Sequence, residues 1–214
     1  GNPGLSQSVA TLRTEIVRAT RPYRRKHGER VAQSVVHMAL HELWETKSQE
    51  ANWGKSIRSP GFALEALEID DDGLSDQIAD YATLVAKASP LQASYEIGLL
   101  YACLLPKAMR SDAGMYFTPP ALAKCLVNMA TNAGTNWTTA RVLEPSCGPG
   151  TVLLAALSQM VEAYAMNGER PPLEILQDRL VGQEKDPFCA WIAQVLVDLA
   201  VLPMARSGSE ELPA

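Results

Sequence analysis

The sequence predicts an α/β fold, with a mostly helical N-terminal region over residues 1–113 and the first part of an α/β sheet domain over residues 114–214. Three observations carry that expectation. Apolar residues recur at helical spacing through the first half, and no strand-like alternation occurs before about residue 140. Between Arg141 and Leu157 the chain passes from a short apolar stretch, through Pro and Gly, into a long apolar run, which reads as strand, turn and helix. Leu180–Asp186 then reads as a second buried strand that ends in charge, and Pro187 opens another helix.

Composition sets outer limits. With 214 residues, 47% of them hydrophobic and 20% charged, the chain can build a sizeable core. Its net charge of -5 excludes a surface that is basic all over, so nucleic-acid contact would need a local patch or a partner. Cys103, Cys125, Cys147 and Cys189 are widely separated, without the paired spacing of structural zinc or a redox dithiol, and fit free thiols in the cytoplasm. The most apolar run, Ile97–Leu105, falls short of the roughly 20 residues a membrane helix needs. No signal-peptide pattern opens the chain. Neither membrane nor metal is expected as a partner.

Taken in order, Gly1–Gln7 are assigned no element. Val9, Leu12, Ile16 and Ala19 define a helix from Ser8 to Arg21 that Pro22 ends or kinks. Around it lies the one concentration of positive charge: Arg13, Arg18, Arg21, Arg24, Arg25, Lys26 and Arg30. These are either a phosphate-contacting patch or a solvated helix face. A second helix, Glu29 to about Lys47, places His37 and His41 on one face, but with Met38 where a metalloprotease would need Glu. Ser48–Pro60 reads as a loop, and Asp72 or Ser75 as the cap of a helix over Leu74–Ala88. Pro90–Met109 is the most apolar helix, with Leu91, Tyr95, Leu99 and Leu105 as core candidates and Pro106 bending its end. Gly114–Pro120 leads into a helix from Ala121 to Thr131, with Thr118 as the expected N-cap and Pro119 fitting the first helical position, while Tyr116 and Phe117 offer a ring to a flat or cationic ligand.

The turn after the first predicted strand, Glu144 to Gly150, is the natural ligand site of such a sheet. A dinucleotide fingerprint requires a third glycine and an acid roughly 20 positions on. Here the third glycine is absent, and Glu184 lies 34 positions past Gly150. A phosphate loop is disfavoured too, since no Gly-Lys-Ser/Thr follows. What remains is a ligand with a ribose, a flat base and no phosphate, beside an acidic strand end that can accept from two hydroxyls. S-adenosylmethionine meets these requirements, and its cationic groups suit an acidic, aromatic-lined pocket.

Gly114–Pro119, Leu143–Gly150 and Gly182–Pro187 resemble, in order, three motifs of amino-directed DNA methyltransferases: aromatic-Thr-Pro, Asp/Glu-Pro-x-Cys-Gly-x-Gly and Gly-x-Glu. The likeness runs over about residues 90 to 202 and is nearest to adenine-specific enzymes such as the modification subunits of type I restriction-modification systems. It implies a Rossmann-like methyltransferase sheet that binds S-adenosylmethionine. By position, Phe117 and Thr118 would pack on the cofactor, and Glu144, Cys147, Gly148 and Gly150 would wrap its methionine end. Glu184 would hold the ribose, with Lys185 and Asp186 near the adenine, and Tyr116, Pro119 and Pro145 complete the motif residues of the site. Pro149 replaces the small residue more usual in the turn.

In that family the methyl group goes to the exocyclic amine of a flipped-out base, held by an Asn/Asp-Pro-Pro-aromatic motif after the fourth strand. No such motif occurs here, and the 30 residues after Glu184 leave no room for the strand-helix-strand unit that would carry it. No catalytic residue is therefore assigned. The resemblance implies a methyltransferase truncated before its catalytic motif, inactive alone, with DNA as partner together with a specificity subunit or the missing segment. The alternative is a non-catalytic relative that acts by binding DNA or a restriction-modification partner.

Overall fold

A computed structural model describes residues 3–65, 67, 71–112 and 114–205. The N-terminal helices are α1 (Pro3–Ala19), α2 (Arg21–His27), α3 (Glu29–Glu50), α4 (Asp72–Ala86), α5 (Pro90–Leu104) and α6 (Lys107–Asp112). There follow α7 (Pro120–Asn132), β1 (Val142–Glu144), α8 (Thr151–Met166), α9 (Leu173–Arg179), β2 (Leu180–Gly182) and α10 (Pro187–Val201), the last continuing into a 3-10 turn to Met204.

Local chemistry explains most of the boundaries. Thr20 bonds back to the carbonyls of Ile16 and Val17, and Pro22 then restarts the chain as α2. Helix α1 therefore stops at Ala19 rather than Arg21, and it begins at Pro3, inside the stretch left unassigned. Gly28, at φ 55°, turns α2 into α3. The α4 cap is Asp71 rather than Asp72 or Ser75, its carboxylate accepting from the Leu74 N–H at 3.0 Å. Ser89 caps α5, Pro90 starts it, and Pro106 separates α5 from α6, so the single helix expected over Pro90–Met109 is two.

One apolar core runs through α3, α4, α5, α8 and α10. In α5 the fully buried side chains are Ile97, Leu100, Tyr101 and Leu104, whereas Tyr95 and Leu99 are only half-buried. Among the described residues the stretch Pro187–Met204, rather than Ile97–Leu105, is the most extended apolar segment and is long enough, by length and composition, to cross a membrane. Here 61% of it is buried, and α10 packs on α3, α5 and α8 as a core helix.

The loop between α3 and α4 starts at Ala51 and is stitched to that core by its own backbone. Trp44 Nε1 donates to the Lys55 carbonyl and Trp191 Nε1 to that of Arg58. Arg58 Nε reaches Asp198 Oδ2 at 3.0 Å, and Gln194 donates to the other oxygen. Burial pushes the Asp198 carboxyl above the usual range, against the pull of Arg58 and Gln194.

Strands β1 and β2 pair in parallel, Val142 opposite Leu180 and Glu144 opposite Gly182. They are not the buried strands expected from their sequence, because among the described residues helices cover only one face. On that face Leu180 packs with Cys147, Leu153 of α8 and Ala193 of α10. On the other, Leu143 is 60% and Val181 42% exposed.

Removing Asp198 would take a buried carboxylate partner from the Arg58 guanidinium at the edge of the core. Because the Arg58 side chain is 36% exposed, it can recover water, and the full loss of about 3 to 5 kcal/mol for a broken buried pair is not reached. Asp198→Ala should lower unfolding free energy by about 1.5 to 3 kcal/mol, measured by chemical denaturation. A midpoint equal to wild type would refute this account of the loop.

Candidate functional site

The two strand ends are tied together beyond the formal sheet. Gln183 N–H donates to the Glu144 carbonyl at 2.8 Å, and Cys147 N–H to the Gln183 carbonyl at 2.9 Å. Between them the turn is made possible by Gly148 at φ 54° and Gly150 at φ 88°. Gly150 also lies against α10, where a side chain would stand 3.3 Å from the Ala193 methyl group. At Gly182 an added Cβ would fall 2.6 Å from Leu153 and 3.0 Å from the Cys147 sulfur. Glycines thus let turn, strand and helices close on one another.

Glu184 sits at the centre of this arrangement. Its Oε2 accepts from the Gly148 N–H at 2.9 Å, and its Oε1 from the Asp186 N–H at 3.0 Å. A carboxylate has about four acceptor positions, so two remain for further donors. Asp186 is differently occupied: one oxygen caps α10 through the Phe188 and Cys189 N–H groups, and the other accepts from the Tyr101 hydroxyl at 2.8 Å. Burial first and Asp186 second hold the Tyr101 phenol well above its ordinary range, so it stays a donor. Lys185 is exposed, with no partner among the described residues.

The aromatic motif arrives from the other side. Phe117 ring carbons lie 3.0 Å from the Cβ positions of both Gly148 and Gly98, so the ring is wedged between turn and α5. Tyr116, by contrast, is 80% exposed. Thr118 does not cap α7. Pro119 takes the cap position and Pro120 the first turn, since a residue before proline is pushed out of the helical region, here to ψ 147°.

A cavity of about 410 Å³ opens beside the turn, lined by Tyr116, Phe117, Thr118, Glu144, Cys147 and Gly148 among others. Glu184, Lys185, Asp186, Pro119, Pro145 and Gly150 are not on that lining; Glu184 meets Gly148 from the β2 side. Cys147 is buried, and burial, reinforced by Glu184 and Glu144, pushes its thiol up to about 11. It is a protonated packing residue at neutral pH and no nucleophile.

Helix α5 supplies three supporting residues not singled out in the sequence. Ser94 Oγ donates to the Pro149 carbonyl at 2.7 Å, Gly98 makes room for Pro149 and Phe117, and Tyr101 holds Asp186. The signal available was a glycine inside an apolar helix, one turn from a serine on the same face. An alanine at Gly98 would put its methyl 2.6 Å from the Pro149 ring. Overpacking of about 1 to 3 kcal/mol outweighs the helix-propensity gain of about 1 kcal/mol. Gly98→Ala is therefore expected to lower the melting temperature, while Gly61→Ala, with nothing within 4 Å, leaves it unchanged. Equal melting temperatures for both variants would refute the wedge.

Among the described residues no group of three or more His, Cys, Asp or Glu is placed to hold a metal ion. The His37 and His41 rings meet at 4.5 Å with their planes tilted by 50°, and His37 stacks on Trp191. No curated protein and no solved structure matches the chain. The sequence model of the N-6 DNA methylase family matches residues 94–199, a stretch that begins at Ser94 and takes in the aromatic motif, the glycine turn and Glu184. That match supports an adenine DNA methyltransferase family for this part of the chain.

Proposed function

We propose that this chain is the S-adenosylmethionine-binding portion of a DNA adenine methyltransferase of a restriction-modification system. The observation that carries the reading is the convergence of Phe117, the Gly148 turn and Glu184 at one pair of strand ends. S-adenosylmethionine, when bound, supplies an electrophilic methyl group. The residues present fit it by their donor set: Glu184 retains acceptor capacity for two ribose hydroxyls, Glu144 brings negative charge, and the Phe117 ring offers an aromatic edge beside the turn. Gly148, lacking a Cβ, lets the Phe117 ring close on the turn. Asp186, with both oxygens engaged, serves to hold the start of α10 beside the site.

The catalytic Asn-Pro-Pro-aromatic motif, in this reading, comes from outside these 214 residues, and the chain alone does not turn over. Support comes from the uncovered apolar surface: Leu143 and Val181 on the bare sheet face, and Leu122, Leu126 and Met129 along one stripe of α7, all 42 to 63% exposed. Such a surface suits the remainder of a methyltransferase sheet. A specificity subunit, DNA and a cytoplasmic setting belong to the same proposal.

Calorimetric titration of S-adenosylmethionine into wild type and Glu184→Ala should show binding weakened by about 1.5 to 3 kcal/mol in the variant. Equal affinities would remove Glu184 from the site. The chain alone, incubated with duplex DNA and methyl-labelled cofactor, is expected to transfer no label. Any labelled adenine would overturn the external catalytic segment.

A further inference from the structure

The positive charges near the N-terminus divide into two sets once their partners are known. Three are used internally. Arg13 pairs with the buried Glu96, Arg30 reaches Glu65, and Arg24 donates to the carbonyls of Val17, Cys103 and Leu104. Arg18, Arg21, Arg25 and Lys26 are exposed and have no ion pair among the described residues. From residue 16 to residue 28 there is no carboxylate at all, in a chain whose net charge is -5. Burial first, and Arg21 second, hold the Arg24 guanidinium below its ordinary range.

Arg24 ties α2 to the C-terminal end of α5, the helix that also touches the candidate site. Gly98 touches Pro149 and Phe117, Tyr101 holds Asp186, and Arg24 of α2 closes on the carbonyls of Cys103 and Leu104. At 1.5 Å per residue, Leu104 is about 9 Å along the helix from Gly98. Glu29, two residues past His27, has its carboxyl raised by burial and by Asp186. Beyond α5, Lys107 is exposed, and Arg110 Nε is buried without a partner just before the aromatic motif.

We propose that Arg18, Arg21, Arg25 and Lys26 form a phosphate-contacting surface that holds the backbone of duplex DNA beside the cofactor turn. The choice of DNA rests on the methyltransferase reading; the polyanion surface rests on the charges themselves. Membrane headgroups fit less well, because α2 carries no apolar face among its cations. Its one aromatic residue, Tyr23, is turned to Asp71, so nothing here stacks on bases. The surface positions DNA and does not read sequence.

The test is fluorescence anisotropy of a labelled duplex against the full chain, at salt from about 50 to 200 mM. Replacing three phosphate contacts, in Arg21→Gln/Arg25→Gln/Lys26→Gln, should make the slope of log affinity against log salt shallower by about 2.7. Lys87→Gln, at the opposite end of α5, should keep the wild-type slope, as should Arg21→Lys/Arg25→Lys. A triple variant with the wild-type slope overturns the proposal, and so does binding to heparin with none to the duplex. Cofactor titration on the same proteins separates the two readings. Duplex binding that depends on the three cations, without S-adenosylmethionine binding, upholds the surface and sinks the cofactor site. Cofactor binding with no duplex binding does the reverse.

Discussion

The missing side chain at Gly98 is the constraint on which the rest of the site depends. Pro149 and the Phe117 ring both occupy space that any Cβ there would claim. Through that contact α5, a helix of the N-terminal half, becomes the back wall of the turn between β1 and α8. Ser94 adds a hydrogen bond to the Pro149 carbonyl and approaches Thr151 Oγ1 at 3.2 Å. The stiffness of Pro149 suits this role, since a proline ring wedged against a helix leaves the turn few alternatives.

Carboxylates near the turn are managed by backbone N–H groups rather than by cations. Glu184 takes two, Asp186 takes two and a phenol, and Glu144 accepts from Ser146 N–H at 3.3 Å. Backbone donors are fixed and neutral, so they hold these side chains in place without cancelling the negative charge. That charge, together with burial, keeps the Cys147 and Cys189 thiols protonated. Arg24 of α2, by contrast, is held by the carbonyls of Cys103 and Leu104 at the C-terminal end of α5, the same end at which Tyr101 holds Asp186.

The sheet accounts for the rest of the surface. Each strand has three residues, too few to be stable without help, and what fixes them is the packing of α8 and α10 on one face together with the hydrogen bonds that lead on into Gln183 and Cys147. The bare face and the apolar stripe of α7 are continuous in chemistry with the core, differing only in what covers them.

Much of this was legible in the sequence, because the signals are local. Glycines at 148 and 150, an acid at the end of each strand and Pro-punctuated helices act within a few residues, and they located the turn, Glu184, and helices α3, α4, α5, α7, α8 and α10 to within a few positions, but neither α9 nor α6 as a helix of its own. Tertiary contacts decided everything that depends on distant partners. Which of Asp71, Asp72 and Ser75 caps α4, whether Leu143 is covered, and whether an arginine is spent on Glu96 or left exposed cannot be read from periodicity. Gly98 shows the reason most plainly: in the sequence it is an unfavourable helix residue, and its purpose exists only once Pro149, 51 positions away, is packed against it.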